Sequence, residues 1–221
     1  MEKEGHPMKK GSLKLQAYNF IKEKIITCEY APNTLLNEEA LRNEINASRT
    51  PIRDALSRLE QEGLIIILPK KGIMVSGLSI GEINKIFEVR MLFEPFALEK
   101  YGQEIDKDTF LHYYDIFSDP TNIVDKDKFY KLDDEFHHLI INAMSNHYLE
   151  QTYDSILNQN LRFRVLTGKE TDKRLKDTNL EHLKIIDCCL KQNWTGAAKA
   201  MYDHLEQSKS ATFGLLLHSH S

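Results

Sequence analysis

The stretch SRTPIRDALSRLEQEGL, residues 48–64, followed at once by LIIIL, PKKG and IMVS, constrains this chain more than any other feature. Ile52, Ala55, Leu56 and Leu59 fall at i, i+3, i+4 and i+7, the spacing that gathers apolar side chains on one side of a helix. Arg49, Thr50, Arg53, Asp54 and Ser57 project from the other side. Ser48 is a good N-cap, and Pro51 fits the first turn, where its missing N–H costs little. The helix stops at Gly63, and the following apolar runs around PKKG read as a small β-hairpin with Lys70 and Lys71 at its tip.

Upstream, residues 13–27 predict a helix with Tyr18, Ile21, Ile25 and Ile26 on one side. CEYAPN breaks it, because Pro32 cannot continue a helix. A short helix at about 37–45 and the turn NAS lead into the opening segment. Helix, helix, turn, helix and hairpin make a winged helix-turn-helix. In such a head the third helix meets the major groove with its N-terminal residues. Arg49 and Arg53 lie about 40° apart around the helix axis, so both reach one stretch of groove. Arg suits a bidentate contact to guanine, and Ser48 or Thr50 suits phosphate. Read on periodicity alone, the same arginines are an ordinary solvated face; the basic hairpin tips the balance.

Beyond Leu78 the strand signals stop. Ser79 with Glu82 makes a capping box for a helix running to about Tyr101, with Pro95 as a kink point. Amphipathic segments follow near 106–117, 125–146, 147–167, 173–191 and 194–215. The expected fold is mainly α: a flexible tail (1–12), a winged helix-turn-helix (13–77) and an all-α bundle of six or seven helices (80–215). Charge follows the same division. Residues 1–78 carry 12 Lys+Arg against 10 Asp+Glu, leaving 17 against 23 of the chain's 29 and 33 for the remainder. A mildly basic head on an acidic body permits nucleic-acid binding.

Three cysteines, Cys28, Cys188 and Cys189, lack metal-type spacing, and adjacent cysteines in a helix rarely bridge. That usage, and the lack of a signal-peptide stretch or an apolar run of membrane-spanning length, predict a cytoplasmic protein with no membrane partner.

In KLDDEFHHLIINAM, Asp133 and His137 stand one turn apart at the edge of the apolar side, while Asp134 and His138 point away. His182 shares a face with Leu175, Ile185 and Ile186. His204 shares one with Ala197, Ala200 and Met201. A lone inward histidine is usually a satisfied core residue. Three helices that each aim such a group inward instead predict a metal site of Asp133, His137, His182 and His204. Imidazole and carboxylate suit a divalent transition metal, Zn²⁺ first, with Ni²⁺ or Mn²⁺ as alternatives.

SRTPIRDALSRLEQEGLI with PKKGIMV, preceded by LLNEEALRNEINA, resembles the winged helix of GntR-type bacterial transcription regulators. DDEFHHLI, SNHYL, EHLKII and AAKAMYDHL resemble the FCD ligand-binding domain of that family's FadR-like branch. The resemblance implies DNA contacts by Arg49 and Arg53, backbone contacts by Ser48, Thr50 and Lys71, and metal ligation by the same Asp133, His137, His182 and His204. It also implies a small carboxylate effector, with Arg90 holding its acid group; a plain ion pair of Arg90 with Glu94 is the competing reading. The family usually has glycine at the positions of Cys28, Asn33 and Ser145. The expected function is a regulator, read as a repressor, that binds palindromic operator DNA as a homodimer under effector control. Two alternatives remain: a metal-dependent hydrolytic enzyme of the bundle, since such a metal activates water, and a metal-dependent structural dimer with no effector.

Overall fold

A computed structural model describes residues 10–167 and 171–219. The chain packs as two compact units that part between Leu78 and Ser79.

The first unit comprises α1 (Lys10–Ile26), β1 (Leu35–Leu36), α2 (Glu38–Ile45), α3 (Arg49–Gln61), β2 (Ile65–Leu68) and β3 (Gly72–Val75). Helix α1 starts at Lys10, inside the stretch expected to be a tail; the rest of that tail, residues 1–9, lies outside the described residues. Asn37 caps α2, its side chain accepting from the Glu39 and Ala40 amides. Ser48 stands at the N-cap of α3 with extended backbone, yet makes no capping side-chain bond. Ile52, Ala55, Leu56 and Leu59 are buried against Ala17, Tyr18, Ile21 and Ile25 of α1, as the helical spacing requires.

The hairpin pairs Ile65 with Val75 and Leu68 with Gly72. A third strand, the two-residue β1, adds to β3 through Leu35–Met74 and Leu36–Ile73, giving the order β1-β3-β2. So short a strand has no alternation to read in sequence. Cys28 and Asn33, in the α1–β1 connection, adopt left-handed backbone with φ of 56° and 65°. The turns that glycine makes easily are kept here, with side chains in place.

The second unit is helical: α4 (Ile80–Tyr101), α5 (Lys107–Ser118), α6 (Lys126–Asn142), α7 (His147–Thr167), α8 (Asp172–Leu190) and α9 (Trp194–Ser219), with 3-10 turns at Gly102–Glu104 and Pro120–Ile123. Ser79 caps α4 by accepting from the Glu82 amide, and α4 runs unbroken through Pro95. Phe110, Phe136, Ile140, Ile185, Ile186, Met201 and Leu205 fill the core. Helix α4 packs chiefly on α9, and α9 on α8. No helix among the described residues is long and apolar enough to cross a membrane.

Candidate metal centre and DNA-facing helix

Helix α6 places Asp133 and His137 one turn apart; α8 brings His182 and α9 brings His204 to the same point. All four are buried, and one potential ligand atom from each lies within 4.8 Å of the others. His137 Nε2 stands 3.3 Å from His204 Nε2. Asp133 Oδ1 lies 3.4 Å from His182 Nε2 and 3.8 Å from His137 Nε2.

Charged partners surround this quartet. His137 Nδ1 is 2.5 Å from Glu94 Oε2. The other Glu94 oxygen accepts from Arg90 Nε at 2.7 Å and from the Tyr153 hydroxyl at 2.6 Å. His204 Nδ1 is 2.7 Å from Glu181 Oε2. Arg174 donates to both Glu181 oxygens, at 2.6 and 3.0 Å. Arg164 donates to Asp133 Oδ2 at 2.5 Å and to Asp134 Oδ1 at 3.0 Å.

Burial opposes charge on Glu94, but Arg90 and His137 outweigh it and hold its pKa at about 2. Asp133 is likewise penalised by burial, and Arg164 and the histidines overcome that and hold it well below the carboxylate range. Glu181 follows the same pattern: burial raises it, while hydrogen bonds from His204 and Arg174 bring it below its ordinary value. Burial pushes His182 well below the usual imidazole range. His204 is lowered too, by burial first, with the bond to Glu181 opposing.

Both glutamates are therefore carboxylates, which accept only, so the ring N–H of His137 and of His204 sits at Nδ1. The two Nε2 atoms then face each other across 3.3 Å. Neither nitrogen of His182 has a hydrogen bond, and its ring lies 4.4 Å from Phe117 and 5.2 Å from Phe136. A buried polar group left this way is costly. Three imidazoles and one carboxylate, with lone pairs turned inward, fit a divalent transition metal.

Arg90 forms the ion pair with Glu94 and also lines a cavity of about 40 Å³ beside Asp133, His137, His204 and Arg164. Asp134 stays outside the quartet, as its helical phase predicts, and long-reaching Arg164 of α7 takes it together with the adjacent Asp133. His138 likewise lies at the outer side, 3.5 Å from Asp154. Sequence reading missed Arg164, Arg174 and Glu181. Glu181 adjoins His182 in sequence but is off the apolar face that singles out the histidine, and nothing in the sequence links Arg164 to Asp133.

In the first unit, Ser48, Arg49, Thr50, Arg53 and Lys71 are all exposed. Arg49 Nε and Arg53 Nε donate to the two oxygens of one carboxylate, Glu38, at 2.9 and 3.3 Å. The two arginines are thus held side by side on the outer face of α3. Lys71 follows Lys70, whose left-handed backbone (φ 63°) turns the hairpin.

The FCD domain family matches residues 85–207, more than half of the chain, and the gntR family of bacterial regulatory proteins matches residues 13–75. The chain belongs to the GntR family and carries an FCD domain. It is a transcriptional regulator. Escherichia coli RspR, an HTH-type transcriptional repressor, is 26% identical over 87% of this chain and 85% of its own. The fold is shared with a GntR regulator from Rhodococcus sp. RHA1, at a TM-score of 0.75 and 16% identity over 92% of this chain and 98% of that one. It is shared also with the Zn²⁺-bound FCD domain of TM0439, at a TM-score of 0.55 and 22% identity over 64% of this chain and 98% of that domain. These families are regulators rather than enzymes, which removes the hydrolytic alternative.

Proposed function

We propose that this GntR-family regulator binds a palindromic operator as a homodimer, represses transcription, and answers to a small carboxylate that reaches a metal in its FCD domain. The observation that carries this reading is the inward-facing quartet: Nε2 of His137 opposite Nε2 of His204, with Asp133 Oδ1 and the unbonded His182 beside them. Asp133, His137, His182 and His204 would hold the ion, Zn²⁺ first. A bound divalent ion would tie three helices together and offer further coordination positions to a carboxylate. The Zn²⁺-bound FCD domain of TM0439 supports this choice.

Arg90 and Arg164 line the cavity beside the quartet and supply positive charge for the effector's acid group. At about 40 Å³ the cavity suits a water or two rather than an organic acid, so effector entry requires its walls to move. Such motion is what a switch needs, because an effector regulates only by binding one arrangement of the protein better than the other.

On the DNA side, Arg49 and Arg53 would read base edges, with Ser48, Thr50 and Lys71 on the phosphate backbone. One head spans few base pairs, so a two-fold dimer on a two-fold operator is the economical arrangement. Repression follows the named activity of the relative RspR. The test is an operator-shift titration on zinc-loaded and metal-stripped protein against a panel of small mono-, di- and tricarboxylates. Release of DNA by a carboxylate from the loaded form alone is expected. Release by none of them, or equal release from the stripped form, overturns effector control through the metal.

A further inference from the structure

Helix α4 supplies none of the four ligand candidates, yet it sends Glu94, fully buried, to the back of His137. Sealing a carboxylate in a protein interior is expensive unless both of its oxygens are hydrogen-bonded and a positive charge lies close by. Glu94 meets that demand with three donors: His137 Nδ1, Arg90 Nε and the Tyr153 hydroxyl. On the far side of the quartet Glu181 repeats the device, accepting from His204 Nδ1 while Arg174 grips both of its oxygens. The two assemblies come from different helices and share no residue. Each ends in the same result, an imidazole turned so that Nε2 faces the centre.

We propose that Glu94 and Glu181 are positioning residues of the metal centre, each fixing the Nδ1–H tautomer and ring angle of one ligand histidine so that Nε2 meets a divalent transition ion. Arg90 and Arg174 anchor these carboxylates, so Arg90 serves the site from behind through its Nε. Arg164 plays the matching part for Asp133, taking Oδ2 and leaving Oδ1 toward His182 and His137. Only His182 has no such holder among the described residues. This inference rests on the metal reading of the quartet.

The test uses the full chain, zinc and a chromophoric chelator as competitor, on wild type, Glu94→Gln and Glu181→Gln. Loss of outer partners of this kind weakens metal binding by about 10–100-fold, and each variant is expected in that range. Glu181, partly exposed, is the variant expected to keep the wild-type melting temperature without metal. In ¹⁵N-histidine spectra of the zinc-loaded wild type, His137 and His204 are expected to show protonated Nδ1 and metal-bound Nε2. In Glu181→Gln the His204 Nδ1–H signal alone should move. Wild-type zinc affinity in both variants, or coordination of either histidine through Nδ1, would overturn this inference and leave the metal centre standing. A wild type that takes up no zinc would overturn both. If Glu94→Gln does not fold, Glu181→Gln and the wild-type spectrum decide alone.

Discussion

His137 and His204, on helices α6 and α9, face each other through their Nε2 atoms at 3.3 Å while each gives its other nitrogen to a glutamate. With one nitrogen of each ring committed outward, the two Nε2 atoms are left to meet each other or an ion held between them. The third imidazole, His182, is packed against Phe117 and Phe136 with neither nitrogen bonded. His182→Ala is therefore expected to lower metal content and to abolish the rise in melting temperature that zinc gives the wild type. With free zinc 100-fold above its Kd, that rise corresponds to about 2.7 kcal/mol. Elemental analysis and melting curves with and without chelator check it. An undiminished zinc response in His182→Ala would remove this histidine from the ligand set.

Arg49 and Arg53 share the carboxylate of Glu38. Exposed pairs of this kind contribute little to stability, so Arg49→Ala and Arg53→Ala should melt as wild type does. Each is expected to cost about 1–3 kcal/mol in operator affinity if it reads a base edge, with selectivity relaxed at that position. Lys71→Ala should weaken binding to all sequences alike and reduce the slope of log affinity against log salt by about 1. Operator titrations across a salt series separate the two behaviours. Wild-type binding by both Arg variants would place the recognition face elsewhere.

The contrast between what was and was not legible in the sequence has a physical basis. Ile52, Ala55, Leu56 and Leu59 announced α3 because burial on one side of a helix imposes a period, and a period survives in one dimension. Asp133, His137, His182 and His204 were found the same way, each lying on or beside an apolar face. Arg164 and Arg174 were not found. Long side chains reach across to other helices, and that reach leaves no periodic trace in sequence. Strand β1 escaped for a simpler reason: two residues hold no pattern, and pairing with β3 alone defines it.

Ser145 links α6 to α7 with φ of 46°, where its Cβ crowds the following carbonyl. Its N–H bonds the Asn142 carbonyl at 3.0 Å, so the left-handed turn is fixed in the fold. Glycine adopts this backbone without steric cost but loses more freedom on folding, and the two effects partly offset. Ser145→Gly is expected to stabilise the protein by roughly 0.5–1 kcal/mol, from the difference of those costs. Chemical denaturation measures the gain. Destabilisation would mean that the exposed Ser145 side chain holds the turn.

The last prediction concerns pH and the head. Glu62, at the C-terminus of α3, accepts from the Tyr18 hydroxyl at 2.6 and 2.9 Å, from Lys22 at 2.9 Å and from Arg58 at 3.1 Å. Burial alone would raise its pKa, but the bonds from Tyr18 and Lys22, the charge of Lys22 and the bond from Arg58 outweigh it and set the value below normal. A carboxyl whose folded pKa lies below its unfolded one binds fewer protons when folded. Its stabilisation is thus complete above the unfolded value of about 4.3 and fades as pH falls through the folded one. Glu62→Gln removes the charge at every pH and should cost about 1.5–3 kcal/mol at neutral pH, the range for hydrogen bonds to a charged group. The gap between wild type and variant should then narrow as pH drops from 5 toward 3. Asp133 and Glu94 titrate in the second unit of both proteins, so the difference between the two curves isolates Glu62. Denaturation of both across that pH range is the measurement, and a gap that stays constant would show that Glu62 acts through packing rather than charge.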